Sequence, residues 1–242
     1  MDEKALIYDW NAVGESAPPR RHVDLDDETL RDGLQSPSVR SPGIDDKLQI
    51  LHYMADLGIQ AANIGLPGAG PQVKRDVIAL AREIRDARLP ISPNCAARTL
   101  QVDIDPIVEA SEQAGLPIEC AVFIGSSPIR QYAEGWTLDR MLRHSTEAVG
   151  YAVNAGLPVM YVTEDTTRAH PDTLRRLYTA AIESGARRIC LADTVGHVMP
   201  HGVRSLVRFI REVVDATGED VRVDWHGHND RGLGVINALV AA

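Results

Sequence analysis

The sequence predicts an α/β fold, a (β/α)8 TIM barrel of which seven strand–helix units lie within the 242 residues. Three observations predict it. From residue 21 onward, seven short apolar runs alternate with seven longer segments of helical period. Several helical segments end in a glycine that turns straight into the next strand. Acidic, basic and imidazole side chains gather where the predicted strands end, as the mouth of a barrel requires, and the strand beginnings carry nothing comparable.

The first strand is read over HVDLDD (22–27), followed by a helix over 44–57. In that helix Leu48, Leu51, Met54, Ala55 and Leu57 recur at the three-to-four spacing of one buried face. IQAANIG (59–65) and a helix over 71–87 come next, then LPISPNC (89–95) with 103–114. PIECAVF (117–123) leads to a helix over 137–154, and PVMYVT (158–163) to one over 171–184. ARRICLA (186–192) precedes 200–217, and VRVDWH (221–226) precedes 231–241. Gly58, Gly115, Gly156 and Gly185 stand just past helical stretches, where a left-handed residue ends a helix. Thr137 and Asp172 are placed to start helices. A doubly wound sheet would hold the same units, but it calls for a glycine-rich phosphate turn after its first strand. DDETLRDGLQ stands there instead, so the barrel is preferred.

Composition narrows the partners. Twenty-five Lys and Arg against 34 Asp and Glu give a formal net charge of −9, which disfavours a nucleic-acid surface. Cys95, Cys120 and Cys190 are far apart with no CxxC pair, which suits a reducing cytoplasm and reads as small buried hydrophobes. The N-terminus lacks a secretory signal and no apolar run reaches membrane-spanning length, so a soluble cytoplasmic protein is expected. Residues 1–20 read as an arm ahead of the barrel domain, 21–242.

The strand ends carry the chemistry. His226 and His228 lie two apart at the end of the seventh strand, so both can face the barrel mouth. Two imidazoles there suit a divalent cation that takes a carboxylate as a further ligand, and Asp32 and Asp27 are the nearest candidates. Arg31, beside Asp32, is read either as an oxyanion stabiliser or as a salt bridge fixing a loop. Thr194 offers a hydroxyl to a substrate carboxylate or carbonyl, or belongs to a capping turn. Glu164 and Asp165 supply a general acid or base, or pair structurally with Arg168.

Four stretches, DDETLRDGLQSP (26–37), TEDTTR (163–168), LADTVGHVMP (191–200) and HGHNDRGLGVINALVAA (226–242), stand in order at strand ends. Together they resemble the metal-dependent barrel enzymes that include 2-isopropylmalate, homocitrate and citramalate synthases and hydroxymethylglutaryl-CoA lyase. The resemblance implies that Asp32, His226 and His228 bind a divalent metal: zinc, manganese, cobalt or magnesium. It implies that Arg31 lies against the reacting carbonyl and that Gln35 and Thr194 hold a 2-oxo acid. The implied reaction is a Claisen-type condensation of acetyl-CoA with that acid by an acyltransferase, with Glu164 assisting proton transfer. A carbon–carbon lyase or aldolase on the same scaffold is the alternative. The resemblance also suggests a homodimer.

The sequence departs from these relatives at pocket positions. Asn63 stands where the synthases carry Glu on the second strand, and Ala121 and Arg130 stand where they carry histidines around the fourth. Arg130 is read either as meeting an additional acidic group on the substrate or as solvated charge on a strand-end loop. The eighth strand and helix of the relatives have no counterpart after Ala242. The expectation is a fragment, or a barrel whose gap a partner chain fills.

Overall fold

The computed structural model describes residues 22–242, and the arm read over residues 1–20 lies outside the described residues. Seven parallel strands pair in sequence order: β1 (Asp26–Asp27), β2 (Ala61–Asn63), β3 (Ser92–Arg98), β4 (Glu119–Gly125), β5 (Val159–Glu164), β6 (Arg188–Asp193) and β7 (Arg222–Gly227). Between them run α1 (Ile44–Asp56), α2 (Pro71–Asp86), α3 (Gln101–Ala114), α4 (Pro128–Glu134), α5 (Leu138–Asn154), α6 (Pro171–Glu183) and α7 (Pro200–Thr217), with α8 (Gly234–Ala241) after β7. The sheet curls as a partial TIM barrel. Each adjacent pair is joined by a parallel ladder, and among the described residues no ladder joins β7 to β1.

All seven predicted strands are present, and β1 is the one that shrinks. Of HVDLDD only Asp26 and Asp27 pair, because the edge position leaves residues 22–25 exposed, with Leu25 held by its carbonyl to Gln60 and Ala61 N–H. The four predicted helix-ending glycines all adopt positive φ. At Gly115, φ 63° lets its N–H reach the Ser111 and Glu112 carbonyls, an approach that costs an L side chain about 1 kcal/mol or more. Thr137 caps α5 through its Oγ1, which accepts from Arg140 N–H, whereas α6 is capped by His170 and Asp172 merely sits in the first turn. The α4 helix was not predicted. Seven residues are too few for a periodic pattern, although Ser127-Pro128 and Gly135 bracket it as a start and a stop.

Strand alternation divides the apolar residues between two layers, as a parallel sheet covered on both faces requires. Cys120, Val122 and Ile124 of β4, with Tyr161, Ile189 and Leu191, face the helices and join the large core. Ala121, Met160 and Cys190 face the barrel interior with Val162. Tyr161 and Tyr178 meet edge to face at 6.0 Å between helix layer and sheet. Their hydroxyls are satisfied by Ser145 Oγ at 2.7 Å and by the Cys190 carbonyl at 2.8 Å, so neither phenol is left unpaired by its burial. All three cysteines are buried and unpaired, as expected.

The strand beginnings are not bare, contrary to expectation. The buried Arg188 guanidinium reaches Glu119 Oε2 at 2.8 Å, Asp26 Oδ2 at 3.0 Å and Asp224, while Asn94 Nδ2 donates to both Asp26 oxygens at 3.0 Å. This polar layer crosses the interior and ties β1 to β7 through side chains where backbone pairing is missing. It was missed because its members belong to five strands and only the curl brings them together. Among the described residues, no helix is long and apolar enough to cross a membrane.

Candidate functional site

The C-terminal ends of the strands surround a cavity of about 350 Å³. Arg31, Asp32, Gln35, Glu164, Thr194, His226 and His228 all line it, so seven of the eight residues expected at the site share one space. Asp32 sits in the turn after β1; the two histidines leave β7 on one side, as i and i+2 should. Oδ2 of Asp32 lies 3.2 Å from Nε2 of His228 and 3.6 Å from Nε2 of His226.

Ligands of a divalent ion bound at roughly 2.1 Å stand about 3.0–3.5 Å apart. The three ligand atoms therefore fit such an ion, and they form a cluster all within 4.8 Å of one another. The electrostatics agree with the donor role. Burial, with the Arg31 guanidinium adding to it, holds the His226 imidazole down to about 4, so it is neutral and its lone pair is free near neutral pH. Of the two carboxylates the sequence offered, Asp32 is the one at the histidines; Asp27 instead accepts from Thr29 N–H at 2.8 Å.

Arg31 is held on both sides. Its Nε and one terminal nitrogen donate to Glu28 Oε2 at 2.8 and 2.6 Å, and the other terminal nitrogen donates to Asp32 Oδ1 at 3.1 Å. It is thus salt-bridged and also lines the cavity. The acidic pair Glu164–Asp165 divides its tasks: Asp165 turns inward and accepts two hydrogen bonds from Arg168 at 2.8 and 2.7 Å, leaving Glu164 on the cavity wall. Asp193 does the capping that was in question for Thr194, accepting from His197 N–H at 2.8 Å. Thr194 Oγ1 accepts from Asp165 N–H at 2.8 Å, so its own hydroxyl proton is free to donate into the cavity.

The model of the HMGL-like family matches residues 22–242. The chain belongs to the HMGL-like family. It is 36% identical over 222 residues to the "Probable 2-isopropylmalate synthase" of Methanopyrus kandleri, covering 90% of this chain and 41% of that protein. It is 34% identical over 228 residues to homocitrate synthase AksA of the same organism, covering 91% of this chain and 54% of that protein. Hence the chain spans about half the length, or less, of these curated relatives. Among solved structures, an HMG-CoA lyase from Acinetobacter baumannii in complex with coenzyme A and 3-methylmalate shares the fold. Its TM-score is 0.71 at 21% identity, covering 90% of this chain and 70% of that one.

Two features of this HMGL-like chain depart from expectation. Arg130 is the one expected site residue that does not line the cavity. Its guanidinium lies 3.5 Å from both Glu134 and Glu164, so it borders the site through Glu164. Glu28 is the residue that sequence reasoning missed. It lines the cavity, clamps Arg31, and is pushed up to about 7 by burial against the pull of Arg31. The available signal was its place three residues before Arg31, one turn away in the loop after β1.

Proposed function

We propose that this chain forms the catalytic barrel of an acyltransferase that condenses acetyl-CoA with a 2-oxo acid, in the manner of 2-isopropylmalate synthase. The observation that carries the reading is the convergence of the Asp32–His226–His228 cluster with Arg31 on one cavity. Support also comes from the names of the relatives at 34–36% identity, both synthases.

In this reading Asp32, His226 and His228 hold a divalent ion. When bound, the ion supplies Lewis acidity that polarises the keto group of the acid. Arg31 donates to the keto oxygen as negative charge develops there, from a position already fixed by Glu28 and Asp32. Thr194 donates its free hydroxyl proton to the substrate carboxylate, and Gln35 supplies an amide beside it. Glu164 takes a proton from the acetyl methyl group or returns one to the new hydroxyl, and water then cleaves the thioester so that CoA leaves as the free thiol. The inner wall, with Ala121, Phe123, Met160 and Val162, fits an apolar side chain on the acid. The acidic substrate group assigned to Arg130 finds that guanidinium already facing two carboxylates. Acetyl-CoA enters at the open mouth.

The test is incubation of the metal-loaded full-length protein with acetyl-CoA and a panel of 2-oxo acids, with free thiol measured. Thiol release dependent on both an apolar 2-oxo acid and the metal is expected. Cleavage of a hydroxyacyl-CoA, with no thiol from any acid, would favour the second reading, a carbon–carbon lyase. That reading rests on the fold shared with HMG-CoA lyase.

A further inference from the structure

Arg31 can serve a reaction only if its guanidinium is aimed before substrate arrives, and the structure shows an uninterrupted set of hydrogen bonds that aims it. The set starts at the backbone. Gly65 N–H lies 3.2 Å from Oδ1 of the buried Asn63; because an N–H can only donate, this contact fixes which end of the amide is oxygen. Nδ2 of Asn63 must then point the other way, and it donates to Glu28 Oε1 at 3.3 Å. The second oxygen of Glu28 accepts from Nε and a terminal nitrogen of Arg31. The anchor itself has little room to shift. Gly65 has φ +150°, and a Cβ there would meet Val77 Cγ2 at 2.8 Å.

We propose that Glu28, oriented by Asn63, is a positioning residue that holds the Arg31 guanidinium aimed into the cavity. Its two oxygens do different work: Oε1 satisfies Asn63 and Oε2 satisfies Arg31. Both groups that hydrogen-bond to it are donors, and His226 Nδ1 stands beyond hydrogen-bond reach at 3.9 Å from Oε1, so position 28 needs two acceptors, and a carboxylate has them. Glutamine has one oxygen. In Glu28→Gln, the new amide nitrogen must face either Asn63 Nδ2 or the guanidinium, donor against donor. The polarity can be restored from the other side. In Glu28→Gln/Asn63→Asp, the new aspartate accepts from the glutamine amide nitrogen, and the glutamine oxygen is free again for Arg31. The charge of the cluster is also kept. Asn63→Asp alone sets two carboxylates against each other and pulls Glu28 off its place.

The proposal rests, for its kinetic consequence, on the condensation reading, so the test has two readouts on the same four proteins: parent, both single variants and the double. The first is the Arg31 Nε–H resonance in NMR spectra of the chain, assigned by its loss in Arg31→Lys. It should be protected from solvent exchange in the parent, lost in each single variant and recovered in the double. The second is turnover of the metal-loaded full-length protein. Each single variant should lose about 10- to 100-fold in kcat, the scale of a misaimed catalytic group, with bound metal unchanged. The double variant should recover to within about threefold of the parent. Full kcat and an intact resonance in Glu28→Gln would overturn the proposal, as would a double variant no better than the worse single one. If the parent turns over no substrate, the condensation reading fails, and the resonance alone still decides whether Glu28 holds Arg31.

Discussion

Oδ2 of Asp32 lies 3.2 Å from Nε2 of His228, although one follows β1 and the other follows β7. The pair meets across the edge where, among the described residues, no strand ladder joins these two strands. Its chemistry follows from that place: ligand atoms from opposite ends of the chain converge at a mouth, with the two imidazole rings beside a carboxylate oxygen.

If that convergence is a metal site, each ligand should matter separately. His226→Ala, His228→Ala and Asp32→Ala are each expected to lose bound divalent metal, read by elemental analysis after dialysis. Unchanged stoichiometry in all three would show that these residues hold no metal.

Arg31→Lys keeps the positive charge and discards the fork that engages Glu28 and Asp32 together. Turnover is expected to fall about 10²–10³-fold, the scale of one lost transition-state donor, with metal content unchanged. A loss smaller than about threefold would show that the guanidinium is only a loop fastener.

At the other end of the strands, Arg188 balances Asp26, Glu119 and Asp224 in the interior. Arg188→Ala leaves three part-buried carboxylates without their cation and should destabilise the fold by about 3–5 kcal/mol in urea denaturation. A cost under about 1 kcal/mol would mean that water or relaxation already screens the cluster.

Asp26 adds a pH dependence. Burial pushes its carboxyl up to about 6, against the pull of Arg188, from an ordinary value near 3.8. Below about pH 4 both folded and unfolded chains hold this proton, and its contribution is fully present. Between about 4 and 6 the folded chain keeps a proton that the unfolded chain releases, so stability falls as pH rises, by at most about 1.4 kcal/mol per pH unit. Asp26→Asn should flatten that slope relative to the parent in denaturation series from pH 4 to 7. Parallel slopes would contradict the raised value.

Much of the architecture was legible because its signals are local. Short apolar runs, helical stretches of period 3.6 and positive-φ glycines at Gly58, Gly115, Gly156 and Gly185 each act over a few residues, and all seven units followed from them. His226 and His228 were readable for the same reason, since two-residue spacing on a strand sets a common face. Arg31, Asp32, Gln35, Glu164 and Thr194 were found because strand ends meet at the mouth of a barrel, a rule of topology.

What the chain's order could not decide was which neighbour each polar group would choose. Asp32 over Asp27 at the histidines, Asp165 over Glu164 for Arg168, and Arg130 facing two carboxylates depend on contacts within a few ångströms between separate strands and loops. Glu28 between Asn63 and Arg31, and Arg188 among three acids, depend on the curl of the sheet itself. Hydrogen bonds and ion pairs fall off within about 3–4 Å, so they are settled only once the backbone has closed to that distance.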